Sequence, residues 1–176
     1  MITKMLGRQE KVMYDQNEMV LEIVARLTEL SGAPCKKKVQ KIIYLLEERS
    51  VNMGFDYKLH IYGPYSEDLD YTICSLKASN ALEITYGNKG HILKCRNEIE
   101  PENITDSMEA VLRNFGRKTP RQLELLTTTL FAERHVDDKD EESIMHAVKK
   151  IKGQKFSFDQ IKTAITLLRE TGYIGA

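Results

Sequence analysis

"HIYGPYSEDLD", residues 60–70, joins a strand-like run to an acidic, helix-like segment through Gly63 and Pro64, and the fold turns on how that joint is read. Upstream, Tyr57, Leu59 and Ile61 alternate with Lys58, His60 and Tyr62, the period of a short strand with one buried side. Pro64 fixes its own φ and pushes Gly63 out of helical geometry, so the strand is expected to end there and the chain to turn. Ser66 then serves as N-cap of a helix whose first turn holds Glu67 and Asp68, each stabilised by the helix dipole by roughly 0.3–1 kcal/mol. Leu69, Ile73 and Leu76 supply that helix with a buried stripe.

Working outward, Val20, Ile23, Val24, Leu27 and Leu30 recur at helical spacing and stop at Gly32, with Pro34 beyond. A second stripe, Val39, Ile42, Ile43 and Leu46, follows in "KKKVQKIIYLLEERS", residues 36–50. Its lysines come first and its glutamates last, the reverse of what a helix dipole prefers, so packing must hold this helix or the lysines serve something else. Downstream of the joint, "LEITYGNKGHILKC", residues 82–95, sets two alternating runs around Gly87-Asn88-Lys89-Gly90, a hairpin signal. Two helices, a strand, a helix and a hairpin suggest a winged-helix-like core over residues 14–98. Residues 103–176 read as a helical C-terminal part, divided from the core near "NEIEPEN", residues 97–103, and expected to pack on it as one structural unit. In that part Met108, Val111, Leu112 and Phe115 form a stripe, Thr119 and Ser157 open capping boxes, and Asp138 or Asp140 starts the helix carrying Ile144 and Val148. The expected fold class is mainly α (α+β), with a small antiparallel sheet.

At 176 residues the chain is long enough to bury a core without disulfides or a metal. Lys+Arg and Asp+Glu both number 26, and neither half is a basic or acidic tail, whereas a protein that grips phosphate backbones by counterion release carries a positive excess. The three cysteines, Cys35, Cys74 and Cys95, are far apart and odd in number, as in a reducing compartment rather than a disulfide framework or a zinc site. The opening residues lack the apolar run of a signal peptide and no later stretch approaches a membrane span, so the expected location is the cytoplasm.

Few side-chain groupings suggest chemistry. His135, Asp137, Asp138, Asp140, Glu141, Glu142 and His146 crowd together, but without the spacing and central glycine of a calcium loop they read as dipole-matched helix-start residues. His60 with Cys74 or Cys95 makes a thin case for a thiol catalyst. Phosphate-cradling loops, nucleophile elbows and metalloprotease helices are absent from the sequence. The expectation is therefore a protein that is not an enzyme, with no catalytic residue, no metal and no cofactor. Lys36, Lys37, Lys38 and Lys41, with Lys89 in the hairpin, are the candidate nucleic-acid surface, while Glu67, Asp68 and Asp70 make the third helix a poor groove reader. Tyr57, Tyr62, Tyr65 and Tyr71 are either a protein-binding hot spot or rings wedging strand against helix.

"KKVQKIIYLLEE", residues 37–48, followed by "FDYKLHIYGPYSEDLDYTICSL", residues 55–76, resembles the YwgA-like bacterial proteins. There a K-x-x-Q-K-hydrophobic-Y helix precedes a strand ending in Y-G-P-Y-S and an acidic helix. The chain also looks like a distant relative of the SocA-like antitoxins, the Panacea domains. The resemblance covers most of residues 20–96. YwgA-like proteins carry no assigned reaction; SocA-like antitoxins bind a toxin protein and, in one mode, deliver it to a protease. On that analogy Gln40, Lys41 and Tyr44, with Tyr62, Gly63, Pro64, Tyr65 and Ser66, are the positions that define the family and the candidate partner surface. The expected function is an interaction protein, antitoxin-like or an adaptor, with a protein partner such as a toxin. The rival is a winged-helix transcription regulator, with self-association left open.

Overall fold

The computed structural model describes residues 15–88 and 90–175. The opening residues read for a signal peptide, and Lys89, lie outside that range. In chain order the elements are α1 (Gln16–Ser31), α2 (Lys36–Glu47), β1 (Lys58–His60), β2 (Gly63–Tyr65), α3 (Glu67–Ala78), β3 (Leu82–Gly87) and β4 (Gly90–Cys95), followed by four helices. These are α4 (Asp106–Phe115), α5 (Pro120–His135), α6 (Glu141–Lys152) and α7 (Phe158–Glu170). The protein is thus mainly helical, with two separate two-stranded antiparallel sheets. No helix among the described residues is long and apolar enough to cross a membrane.

The helix starts follow from short polar side chains. Asp15, Ser66, Thr105 and Asp140 each accept a hydrogen bond from a backbone N–H of the first turn, and Thr119 and Ser157 close reciprocal capping boxes with Gln122 and Gln160. Of the two aspartates considered for α6, Asp140 holds the cap. Gly32 closes α1 at φ 83°, a conformation open to glycine.

The joint departs from the expectation. Gly63 and Pro64 do not end the pairing: they are β2, which folds back on β1 with Lys58 opposite Tyr65, Leu59 opposite Pro64 and His60 opposite Gly63. Ile61 and Tyr62 form a two-residue turn, and the switch to helix comes one step later, at Ser66. A proline is admissible because this ribbon has only two strands and needs no ladder bond from position 64. The one-sided burial expected of residues 57–62 is also absent, since Lys58, Leu59 and His60 are all exposed; β2, with Gly63 and Pro64 buried, is the inner strand.

α5 runs through the middle of the molecule, touching α2, α6, α7 and β2, and is buried on every side from Leu123 to Leu130. Two of its threonines satisfy themselves, Thr127 Oγ1 donating to Leu123 O at 2.8 Å and Thr129 Oγ1 to Leu125 O at 2.8 Å, while the buried Thr128 Oγ1 has no partner among the described residues. The β3–β4 hairpin gains a third contact where Cys35, ahead of α2, bridges to Ile92, and Leu93 N donates to Pro34 O at 2.9 Å. One hydrophobic cluster extends from Met19 on α1 to Ile174 past α7. The stretch between the two halves is pinned by Glu22, which accepts from Asn103 N at 2.9 Å and from its Nδ2 at 2.6 Å. Tyr173 crosses back to donate to Leu45 O at 2.9 Å.

Candidate functional site

The resemblance-defining residues meet at the β1–β2 hairpin, which lies across one face of α2. Lys37, Gln40, Lys41 and Tyr44 follow helical spacing along that face. Gln40, 1% exposed, clamps the joint with both ends of its amide: Nε2 donates to Ser66 O at 2.8 Å and Oε1 accepts from Ser66 N at 3.0 Å. Ser66 in turn caps α3, its Oγ accepting from Leu69 N at 3.2 Å. Lys41 is equally buried and donates to Pro64 O. Burial, then the nearby Lys152 ammonium, lower its pKa to about 7, although Glu124 pulls the other way. Tyr44 is buried edge-on to Tyr57 at 5.1 Å, and the Tyr57 hydroxyl donates to Gln40 O at 3.1 Å. Gly63 sits at φ +88° so close to α5 that a Cβ there would lie 2.7 Å from Thr128 Oγ1 and 3.5 Å from Glu124 O. Six of the eight positions therefore build or brace the joint, while the Tyr62 ring is exposed and the Tyr65 ring half-exposed.

The lysines of the candidate nucleic-acid surface do not stand together in solvent. Lys38 is buried and donates to Ser31 Oγ at 2.8 Å; Lys41 is buried under Pro64; Lys36 pairs with Asp70 of α3. Lys37 alone of these four makes neither a hydrogen bond nor an ion pair through its ammonium among the described residues, its Nζ lying 3.7 Å from the centroid of the Tyr62 ring.

Several participants left no local trace in the sequence. Glu124 of α5, 2% exposed in its side chain, accepts from Lys152 Nζ at 2.8 Å and Lys155 Nζ at 2.6 Å. Burial disfavours its charge, but the two ammonium groups outweigh that and hold the carboxyl below its usual range. Lys152 also donates to Ile61 O at 2.8 Å, so α6 grips the hairpin turn from below. At the turn, Ile61 is 73% exposed and Tyr62 47%. These partners are 28 to 91 positions apart, beyond the reach of any spacing rule; the only local hint was the Leu-Glu-Leu-Leu-Thr-Thr-Thr-Leu run of residues 123–130.

A cleft opens on either side of the hairpin. One, of about 440 Å³, is lined by Glu47, Glu48, Tyr57, Arg134 and neighbours; there Glu48 takes Arg134 Nε at 2.9 Å and Glu47 takes Phe55 N at 3.0 Å. The other, of about 740 Å³, lies between the first turns of α2 and the two hairpin turns. Among the described residues its lining holds Lys36, Lys37, Lys41, His60 and His91, with the Tyr62 and Tyr65 rings and no carboxylate. Burial, and then Asp70 beside it, push the Tyr65 hydroxyl up to about 12. No side chain caps the α2 end that faces this cleft. Cys74 is exposed, and Cys95 Sγ lies 3.5 Å from Leu21 O. No group of three or more His, Cys, Asp or Glu among the described residues is arranged to hold a metal ion.

No protein-family model matches the sequence. Over 167 residues the chain is 23% identical to the uncharacterized protein YwgA of Bacillus subtilis (strain 168), an alignment covering 90% of this chain and 97% of that one. This distant, nearly end-to-end similarity supports the YwgA-like resemblance. Over 144 residues the chain is 24% identical to a DNA ADP-ribosyl glycohydrolase of Thermus aquaticus (strain ATCC BAA-2747 / Y51MC23), covering 74% of this chain and 39% of that protein. The second similarity corrects the expectation that the chain is not an enzyme, because a protein named for a hydrolytic reaction shares most of this chain's length.

Proposed function

We propose that this chain is a recognition module that engages a protein partner with the tip of the β1–β2 hairpin, as an antitoxin or adaptor does. One observation carries the reading. Of the six large hydrophobic side chains exposed among the described residues, three, Leu59, Ile61 and Tyr62, lie on the β1–β2 hairpin, and a fourth, Tyr71, is on α3. A two-residue hairpin turn favours Asn, Asp or Gly, so an isoleucine there, 73% exposed, contributes nothing to folding that a polar residue would not. The tip is also braced before any partner arrives, by Gln40 on Ser66 and by Lys152 on Ile61 O, which limits the ordering cost of binding. With the Lys37 ammonium against the Tyr62 ring, the complementary surface is an apolar socket with a carboxylate at its rim.

The relatives support a modular unit, since this segment makes up nearly all of the Bacillus protein and about two fifths of the Thermus one. A kinship with SocA-like Panacea antitoxins belongs to the same proposal and would make the partner a toxin. The rival, a winged-helix DNA regulator, draws on the word DNA in the Thermus relative's name and on the bridge from Cys35 to the β3–β4 hairpin. Two of its four lysines on α2 are buried, which weighs against it.

The test is to identify the protein that co-purifies from the native cell, then titrate it purified against this chain. Ile61→Asp and Leu59→Asp should each weaken binding at least ~10-fold, the loss of a hot-spot side chain, with the melting temperature unchanged. Unaltered affinity in both variants contradicts the reading. Steeply salt-dependent binding of random duplex DNA, lost in a Lys36→Glu, Lys37→Glu double variant, would favour the regulator.

A further inference from the structure

We infer that the larger cleft, between the first turns of α2 and the two hairpin turns, binds a nucleotide, with phosphate beside Lys37 and the base against the tyrosine and histidine rings. This goes beyond the docking proposal: it shares Lys37 and Tyr62 with it but rests on the cleft and its rings rather than on the exposed tip. At about 740 Å³ the cleft has the size of a small-molecule site. Its described lining residues include lysines and no carboxylate; Lys36 is paired with Asp70 behind it and Lys41 is held on Pro64 O, which leaves the Lys37 ammonium as the cation available to an anion.

Its two sides carry paired rings. His60 lies against Tyr65 with centroids 5.4 Å apart on the β1–β2 side, and His91 against Tyr86 at 4.6 Å on the β3–β4 side. Tyr86 is 61% exposed and takes a hydrogen bond from Lys77 Nζ at 3.1 Å, extending the alternation of ring and cation beyond the cleft. Flat π-faces interleaved with ammonium groups suit a planar base joined to a phosphate, because stacking is indifferent to base identity and the lysines track the anion. Lys37 contributes no ion pair to the fold, and its place in the first turn of α2 is unfavourable to the helix dipole; a bound phosphate reverses that penalty.

The same chemistry is presented by a free nucleotide and by a nucleotide within a single strand, and two probes separate them. The isolated chain is titrated with fluorescent ADP and with a labelled single-stranded oligothymidylate at about 50 mM salt, where phosphate contacts are strong. Saturable binding of either probe is expected, weakened at least ~10-fold by Lys37→Glu and several-fold by Tyr62→Ala, with thermal unfolding unchanged. Tighter binding of the oligonucleotide assigns the site to a strand, and tighter binding of ADP to a free nucleotide. Should Lys37→Glu fold poorly, Lys37→Gln reads the same loss. No saturable binding of either probe, equal competition by polyglutamate or inorganic phosphate, or affinity indifferent to Lys37 overturns the inference. Since no protein partner is present, a failed docking proposal leaves this result untouched.

Discussion

At Gly63 the chain is constrained twice, by a φ of +88° that side-chain-bearing residues avoid and by an α5 surface that leaves no room for a Cβ. Gly63→Ala should therefore destabilise the protein by about 2 to 4 kcal/mol, the sum of left-handed backbone strain and overpacking, read as a lower urea midpoint. The neighbouring Lys41 carries a different liability. Its folded pKa of about 7 lies well below that of an unfolded lysine, so between those values the unfolded chain binds the extra proton. Stability should consequently rise with pH, by up to about 1.4 kcal/mol per unit between about pH 7 and pH 9, and the rise should flatten in Lys41→Met. Parallel profiles for the two proteins would show that Lys41 is not the titrating group. Neither property was legible in the sequence: a lysine's burial, like a glycine's crowding, is decided by what packs over it, and α5 lies some sixty residues away.

Among the elements, those stabilised locally were legible and those stabilised from afar were not. The α3 cap at Ser66 and the capping boxes at Thr119 and Ser157 are each specified by neighbours within four residues, and the structure has them. The β1–β2 hairpin was misread as one strand because proline was taken as a stop. Three residues per strand do not hold a ribbon in water, and what holds this one is α2 and α5 beneath it. Gln40 is the clearest case, a polar residue on an apolar stripe that mimics a strand edge for Ser66. Gln40→Leu would leave the buried Ser66 N–H without a partner, at a cost of about 2 to 3 kcal/mol in equilibrium unfolding, with the hairpin amides losing hydrogen-exchange protection first. A loss spread evenly over all elements would show that the clamp is not specific to the joint.

Across the whole molecule the two halves share one core, fastened by Glu22 to Asn103 and by Arg26, whose Nε and Nη2 reach the Glu109 carboxylate at 2.9 and 2.5 Å. Arg26, then Arg113, hold that carboxyl down to about 2. Far-UV circular dichroism and tyrosine fluorescence should thus trace one coincident urea transition, whereas two would mark separate units on either side of residues 97–103. This union explains why the site was only half legible: α2 and the joint announced themselves, but Glu124, Lys152 and Lys155, which hold the hairpin from below, come from the other half of the chain. The proposed function requires that a partner dock on the hairpin tip. It is tested most directly by placing a benzoylphenylalanine photo-crosslinker at Ile61 and, as a comparison, at Phe158 of α7, an exposed aromatic outside the hairpin. Irradiation in the native cell should give a discrete protein adduct from position 61 and none from 158; equal yields from both, or an adduct from 158 alone, would contradict the account.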